Sequence, residues 1–100
     1  IALQLDRNGI AEMSCIAGVG GNVKKLVSIA LTGRKIITID GCALACSRAC
    51  LGNHSINTYG HFELTAMGVK KKDHEDFDPG EANKILRRIR KEVSELCAVA

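Results

Sequence analysis

The spacing of apolar residues changes repeatedly along the chain, and each change marks an element. Ile1, Ala2 and Leu5 read as the end of a helix, stopped by Asn8-Gly9. IAEMSC, Ile10 to Cys15, reads as a short strand, and the glycine-rich IAGVGGN as the loop that leaves it. Val23, Leu26, Val27, Ala30 and Leu31 then share one helical face, ended by Thr32-Gly33. KIITID, Lys35 to Asp40, is β-branched and nearly all apolar, the pattern of a strand covered on both faces of a parallel sheet. A helix is predicted from about Ala43 to Leu51, ended by Gly52-Asn53.

HFELTAMGV, His61 to Val69, reads as a last strand with Phe62 and Leu64 on one side. In the final helix the signals agree. Asp78 stands at the N-cap, Pro79 at the first helical position and Glu81 at the capping-box position. Ala82, Ile85, Leu86, Ile89, Val93 and Leu96 recur at helical period, with Arg and Lys on the opposite face. Helices alternating with strands at this pitch predict βαβ units. The expected fold is a single α/β domain over residues 1–100: a Rossmann-like open parallel sheet flanked by helices. Three strands are visible, and the half-unit at the start predicts a fourth upstream in a chain truncated at its N-terminus.

Composition narrows the function classes. The 100 residues contain only 3% aromatics, so the core is built from Ile, Leu, Val and Ala. Few aromatics also argue against single-strand nucleic-acid binding, which uses stacking platforms. Net charge is +3, with basic runs at Lys70–Lys72 and Arg87–Lys91 that read as solvated surface. No apolar run is long enough to span a membrane, and no secretory leader is visible. Neither nucleic acid nor membrane is therefore expected as a partner; the partner expected from the cysteines is a metal ion.

The cysteines carry the chemistry. There are five, an odd number, with Cys42, Cys46 and Cys50 at four-residue intervals. That is a poor disulfide framework and suits metal or thiol chemistry in a reducing cytoplasm. Ligands in open α/β sheets bind at the carboxyl ends of strands. Cys15 ends one predicted strand and Cys42 follows another, and neighbouring strands lie about 4.8 Å apart. Cys46 lies one helical turn, roughly 6 Å, beyond Cys42. Cys15, Cys42 and Cys46 are thus candidate ligands of one ion, at thiolate–zinc distances of about 2.3 Å. A position near a helix N-terminus would also favour the thiolate of Cys42 and Cys46.

Cys50, two turns from Cys42, and Cys97, on the apolar face of the last helix, read as small core residues. Asp40 reads as an acceptor of backbone N–H groups near its turn. His54, His61 and His74 read as surface residues, with His61 at the sheet edge opposite the cysteines. The glycines of AGVGGN could instead form an anion nest, but their spacing fits no phosphate-binding motif.

MSCIAGVGGNV, ITIDGCALAC and HFELTAMGV, in this order, resemble the DGC domain family of small prokaryotic proteins, named for its Asp-Gly-Cys. The resemblance implies zinc bound through four cysteines, with Cys15, Cys42 and Cys46 as the ligands carried over. The family's remaining cysteine follows a first strand near the N-terminus, a segment this sequence does not contain. The function expected is zinc binding by cysteine thiolates at the carboxyl edge of a parallel sheet. The alternative is a thiol redox or thiol-transfer protein in which Cys42 acts with Cys46 or Cys15. An iron–sulfur cluster is a third use of the same ligands. Whether the protein is an enzyme stays open.

Overall fold

Two short parallel strands divide the molecule. The structure, a computed structural model, describes residues 1–70 and 72–98, the last two by backbone alone. β1 (Ile37–Asp40) and β2 (Gly60–Glu63) pair with Ile37 opposite Gly60, Thr38 opposite His61, Ile39 opposite Phe62 and Asp40 opposite Glu63. Side chains alternate across a strand. Ile37, Ile39 and Phe62 therefore share one face of the pair, and Thr38, Asp40, His61 and Glu63 share the other.

The apolar face packs on the main core. Leu5 of α1 (Ala2–Arg7) and Ile85, Ile89 and Val93 of α5 (Pro79–Ala98) close around Phe62, with Ile37 and Ile39 partly buried beside them. α5 forms as its period predicts. Asp78 Oδ1 accepts the N–H of Gly80 at 2.9 Å, satisfying a donor the helix start leaves free. Ile85, Ile89 and Val93 face the core while Arg87, Arg88, Arg90 and Lys91 are exposed.

The polar face is covered differently. α4 (Cys46–Gly52) packs on β1, α2 (Ile16–Gly20) on α4, and α3 (Lys24–Ala30) on α2. Val19 and Leu51 are buried in this layer. The α2–α4 approach needs glycine at Gly20, where an added Cβ would stand 2.9 Å from the Cys50 sulfur. Helices therefore lie on both faces of a small parallel sheet, a mixed α/β arrangement as expected.

Three expected elements differ. Ile10–Cys15 is no strand, and the described sheet has two strands. The amides of Ile10 and Ala11 return to Leu5 O, and Met13 N donates to Asp6 Oδ2 at 2.8 Å. Those donors finish α1 and are not offered to β1. IAGVGG is not an open loop but α2, whose close makes the amides of Gly21 and Val23 bond to Ala17 O and Gly18 O. An anion nest is not formed there, because these donors are satisfied within the helix and its exit. HFELTAMGV keeps its strand only to Glu63. It then turns through a 3-10 helix, Leu64–Met67, ended by Gly68 at φ 92°.

Among the described residues no helix is long and apolar enough to cross a membrane. The packing generates a test of the core. Ile89 is fully buried, so Ile89→Ala should lower unfolding free energy by about 2–5 kcal/mol in urea denaturation. Arg87→Ala, on the exposed face of the same helix, should change it by no more than about 0.5 kcal/mol.

Candidate functional site

β1 delivers its last residue, Asp40, into the layer beneath α4. The chain then turns through Gly41–Ala45, closed by a 3.1 Å bond from Ala45 N to Cys42 O. Gly41 O accepts the N–H of Thr65 at 3.2 Å, tying this turn to the 3-10 helix that follows β2. Ala45 is left-handed at φ 49°, ψ 52°, a conformation that costs a non-glycine residue about 1 kcal/mol or more. α4 then begins at Cys46, three residues later than its sequence predicts.

That strained start is held by a side chain from the strand. Ala45, in the cap position, has no side-chain oxygen with which to cap the first amides of the helix. Asp40 caps two of them. Its Oδ1 accepts from Ser47 N at 2.8 Å and its Oδ2 from Arg48 N at 3.3 Å. The carboxylate is almost fully buried, at 6% exposure. Burial by itself pushes its pKa up, but hydrogen bonds from Ser47 and Arg48, aided by His61, outweigh that and hold it below 3.8. The expected role of Asp40 as a backbone acceptor is what the structure shows, although the amides belong to the helix and not to the turn.

His61 was expected at the edge away from the cysteines and lies instead beside Asp40. The parallel register sets it opposite Thr38. Its Nδ1 is 2.7 Å from the Thr38 hydroxyl and 3.8 Å from Asp40 Oδ2. Thr38 is buried as well, so a polar row of Thr38, His61 and Asp40 runs inside the α4 side of the sheet. No local signal in the sequence marks this row; only the pairing of strands more than twenty positions apart creates it. His54 is also no simple surface residue, since its Nε2 lies 3.0 Å from Val19 O and links the end of α4 to α2. His74 is exposed, as expected.

Cys42 and Cys46 line one cleft of about 320 Å³, with Asp40, Gly41, Ala45, Leu64 and Val69. Cys42 is half-buried and Cys46 exposed, and both are free thiols. Another cleft of about 400 Å³ lies over β2 and α5, lined among the described residues by Gly60, His61, Phe62, Glu92, Glu95 and Leu96. Cys15 is exposed at the start of α2 and is not among the residues of the cysteine cleft. Cys50 is half-buried against Gly20, so it faces α2 where the sheet was expected. The side chain of Cys97 lies outside the described residues.

Among the described residues no three His, Cys, Asp or Glu side chains are grouped to hold a metal ion. Closed zinc sites take four donors in a tetrahedron. The cleft offers two thiols and one carboxylate already engaged with two amides, so by themselves its residues do not fit a complete zinc site. They make a paired-thiol half-site with apolar walls. The helix N-terminus does not serve the thiols as expected either, because Asp40 accepts the amides of Ser47 and Arg48.

A family model described as the DGC domain matches residues 1–89. The anaerobic and virulence modulator AnvM of Pseudomonas aeruginosa is 45% identical over 86 residues, a match covering 86% of this chain and 66% of that protein. The chain thus spans slightly less than two thirds of this relative's length. No solved structure matches the chain.

The buried cap predicts acid sensitivity. Asp40→Ala leaves two helix amides without their acceptor and should cost about 1–3 kcal/mol. A carboxyl held below its ordinary value stabilises the fold above that value and loses its contribution as pH falls through the lowered one. Urea midpoints measured from about pH 6 downward should therefore separate wild type from Asp40→Ala at the upper end. The difference should shrink as the pH falls below the ordinary carboxylate range and through the lowered value of Asp40.

Proposed function

The chain belongs to the DGC domain family, and on that premise we propose that it binds a thiophilic metal ion, zinc in the first instance, through cysteine thiolates. The observation that carries this reading is that Cys42 and Cys46 line the same cleft at the carboxyl end of β1. Thiolate is both the metal-binding and the soft-ligand form of cysteine. Cys15, exposed on the irregular segment before α2, is the proposed third donor, reaching the cleft by movement of that segment. Asp40 is a positioning residue that holds the start of α4. In this reading the two strands are part of a larger Rossmann-like sheet, and the protein works in the reducing cytoplasm.

A second reading is favoured by the same pair. Cys42 and Cys46 flank one turn as free thiols, as a redox dithiol requires. Oxidation by an external disulfide would join their sulfurs and reduce that disulfide to two thiols. A relative named an anaerobic and virulence modulator suits a site that responds to redox conditions.

Metal analysis of protein prepared anaerobically tests the first reading. About one zinc per chain is expected, lost in Cys42→Ser and retained in Cys50→Ser. A metal-free wild type whose Cys42 and Cys46 cycle reversibly in a dithiol buffer would transfer the site to the redox reading.

A further inference from the structure

The charges leading into and along α5 are sorted by sign. Lys70 and Lys72 are basic, and every charged residue in 73–81 is acidic. Every charged residue in 84–91 is basic, and Glu92 and Glu95 are acidic again. Residues 73–81 are exposed, and so are Lys84, Arg87, Arg88, Arg90 and Lys91 on the outward face of α5. The two central blocks do not neutralise each other within one chain. Among the described residues no ion pair joins 73–81 to 84–91; Arg88 Nε pairs instead with Glu92 Oε1, at 3.7 Å. The acidic segment enters the helix at its N-terminus, and Lys91 lies about 18 Å further along the axis. The basic block also sets like charges one turn apart, Lys84 with Arg88 and Arg87 with Lys91, which disfavours a helix unless something opposes them.

The sign pattern reverses about Ala82 and Asn83, which carry no charge. A second copy turned end over end about that point meets the first with opposite sign at every block. Its acidic segment lies against the basic stretch of α5, and its Lys70 and Lys72 lie against Glu92 and Glu95. A copy laid parallel and in register would set like against like. We propose that this face of α5 is a self-association surface, on which a second copy docks with its own α5 antiparallel. The two-fold axis makes each contact twice. Glu81 and Lys84 flank the centre three positions apart on one helix face, so Glu81 meets Lys84 of the partner subunit. Phe77, 76% exposed among carboxylates, adds an apolar ring to the acidic block, and basic side chains favour such a ring face. The contact is small and polar, so association is weak and salt-sensitive.

Sedimentation velocity on the full chain over a concentration series tests this. A reductant is present, so that the exposed Cys15 and Cys46 form no disulfide between copies. In about 0.05 M salt a monomer–dimer equilibrium is expected, with a dissociation constant at least tenfold higher in about 0.5 M salt. Glu81→Lys and Lys84→Glu should each be monomeric alone. Mixed together they should form a one-to-one heterodimer, because each chain then meets the opposite sign at both central contacts. A wild type that stays monomeric at every concentration in low salt overturns the proposal. So does a dimer indifferent to salt, a dimer that persists in each variant alone, or a mixture of folded variants that does not associate. Circular dichroism identifies a variant that has not folded, and the salt dependence of the wild type then decides.

Discussion

The carboxylate of Asp40 joins the strand that ends at it to the helix that begins six residues later. Those intervening residues include an alanine in a left-handed conformation and no capping side chain of their own. Left alone, the start of α4 would have two unpaired amides over a buried carboxylate, and each unmet group costs about 1–3 kcal/mol. Pairing them answers both demands. The path of the chain from Gly41 to Cys46 follows from that pairing, and with it the placing of two cysteines on one cleft.

The same constraint explains why the sheet is unlike on its two faces. On one face Ile37, Ile39 and Phe62 meet α1 and α5 in an ordinary apolar core. On the other, Thr38, His61 and Asp40 form a polar row under a helix. Buried polar groups persist where each finds a partner, and among the described residues no buried side-chain N or O atom lacks one. The Thr38 hydroxyl and the His61 ring therefore accompany the aspartate as parts of one network.

How much of this was legible depended on how local each cause is. α5 was legible because its cap, its proline and its apolar period lie within one stretch, Asp78 to Leu96. β1 and the placing of Cys42 and Cys46 just beyond it were legible for the same reason. Ile10–Cys15 was not, because its alternating residues look like a strand while its amides are used to finish α1. The left-handed Ala45 has no glycine or asparagine to announce it, so the predicted start of α4 came too early. His61 was misplaced because only strand register brings it beside Thr38 and Asp40. Cys15 separated from the cleft for a related reason: without a strand at Ile10–Cys15, nothing seats it beside β1.

Metal binding as proposed requires Cys42 and Cys46 to act as two parts of one site. Cysteine Cβ chemical shifts followed by NMR during an anaerobic metal titration report each thiol individually. The signals of Cys42 and Cys46 should move together and finish at one equivalent of metal, with Cys50 unchanged. Signals that move at different equivalents, or a Cys42 that does not move at all, would contradict it.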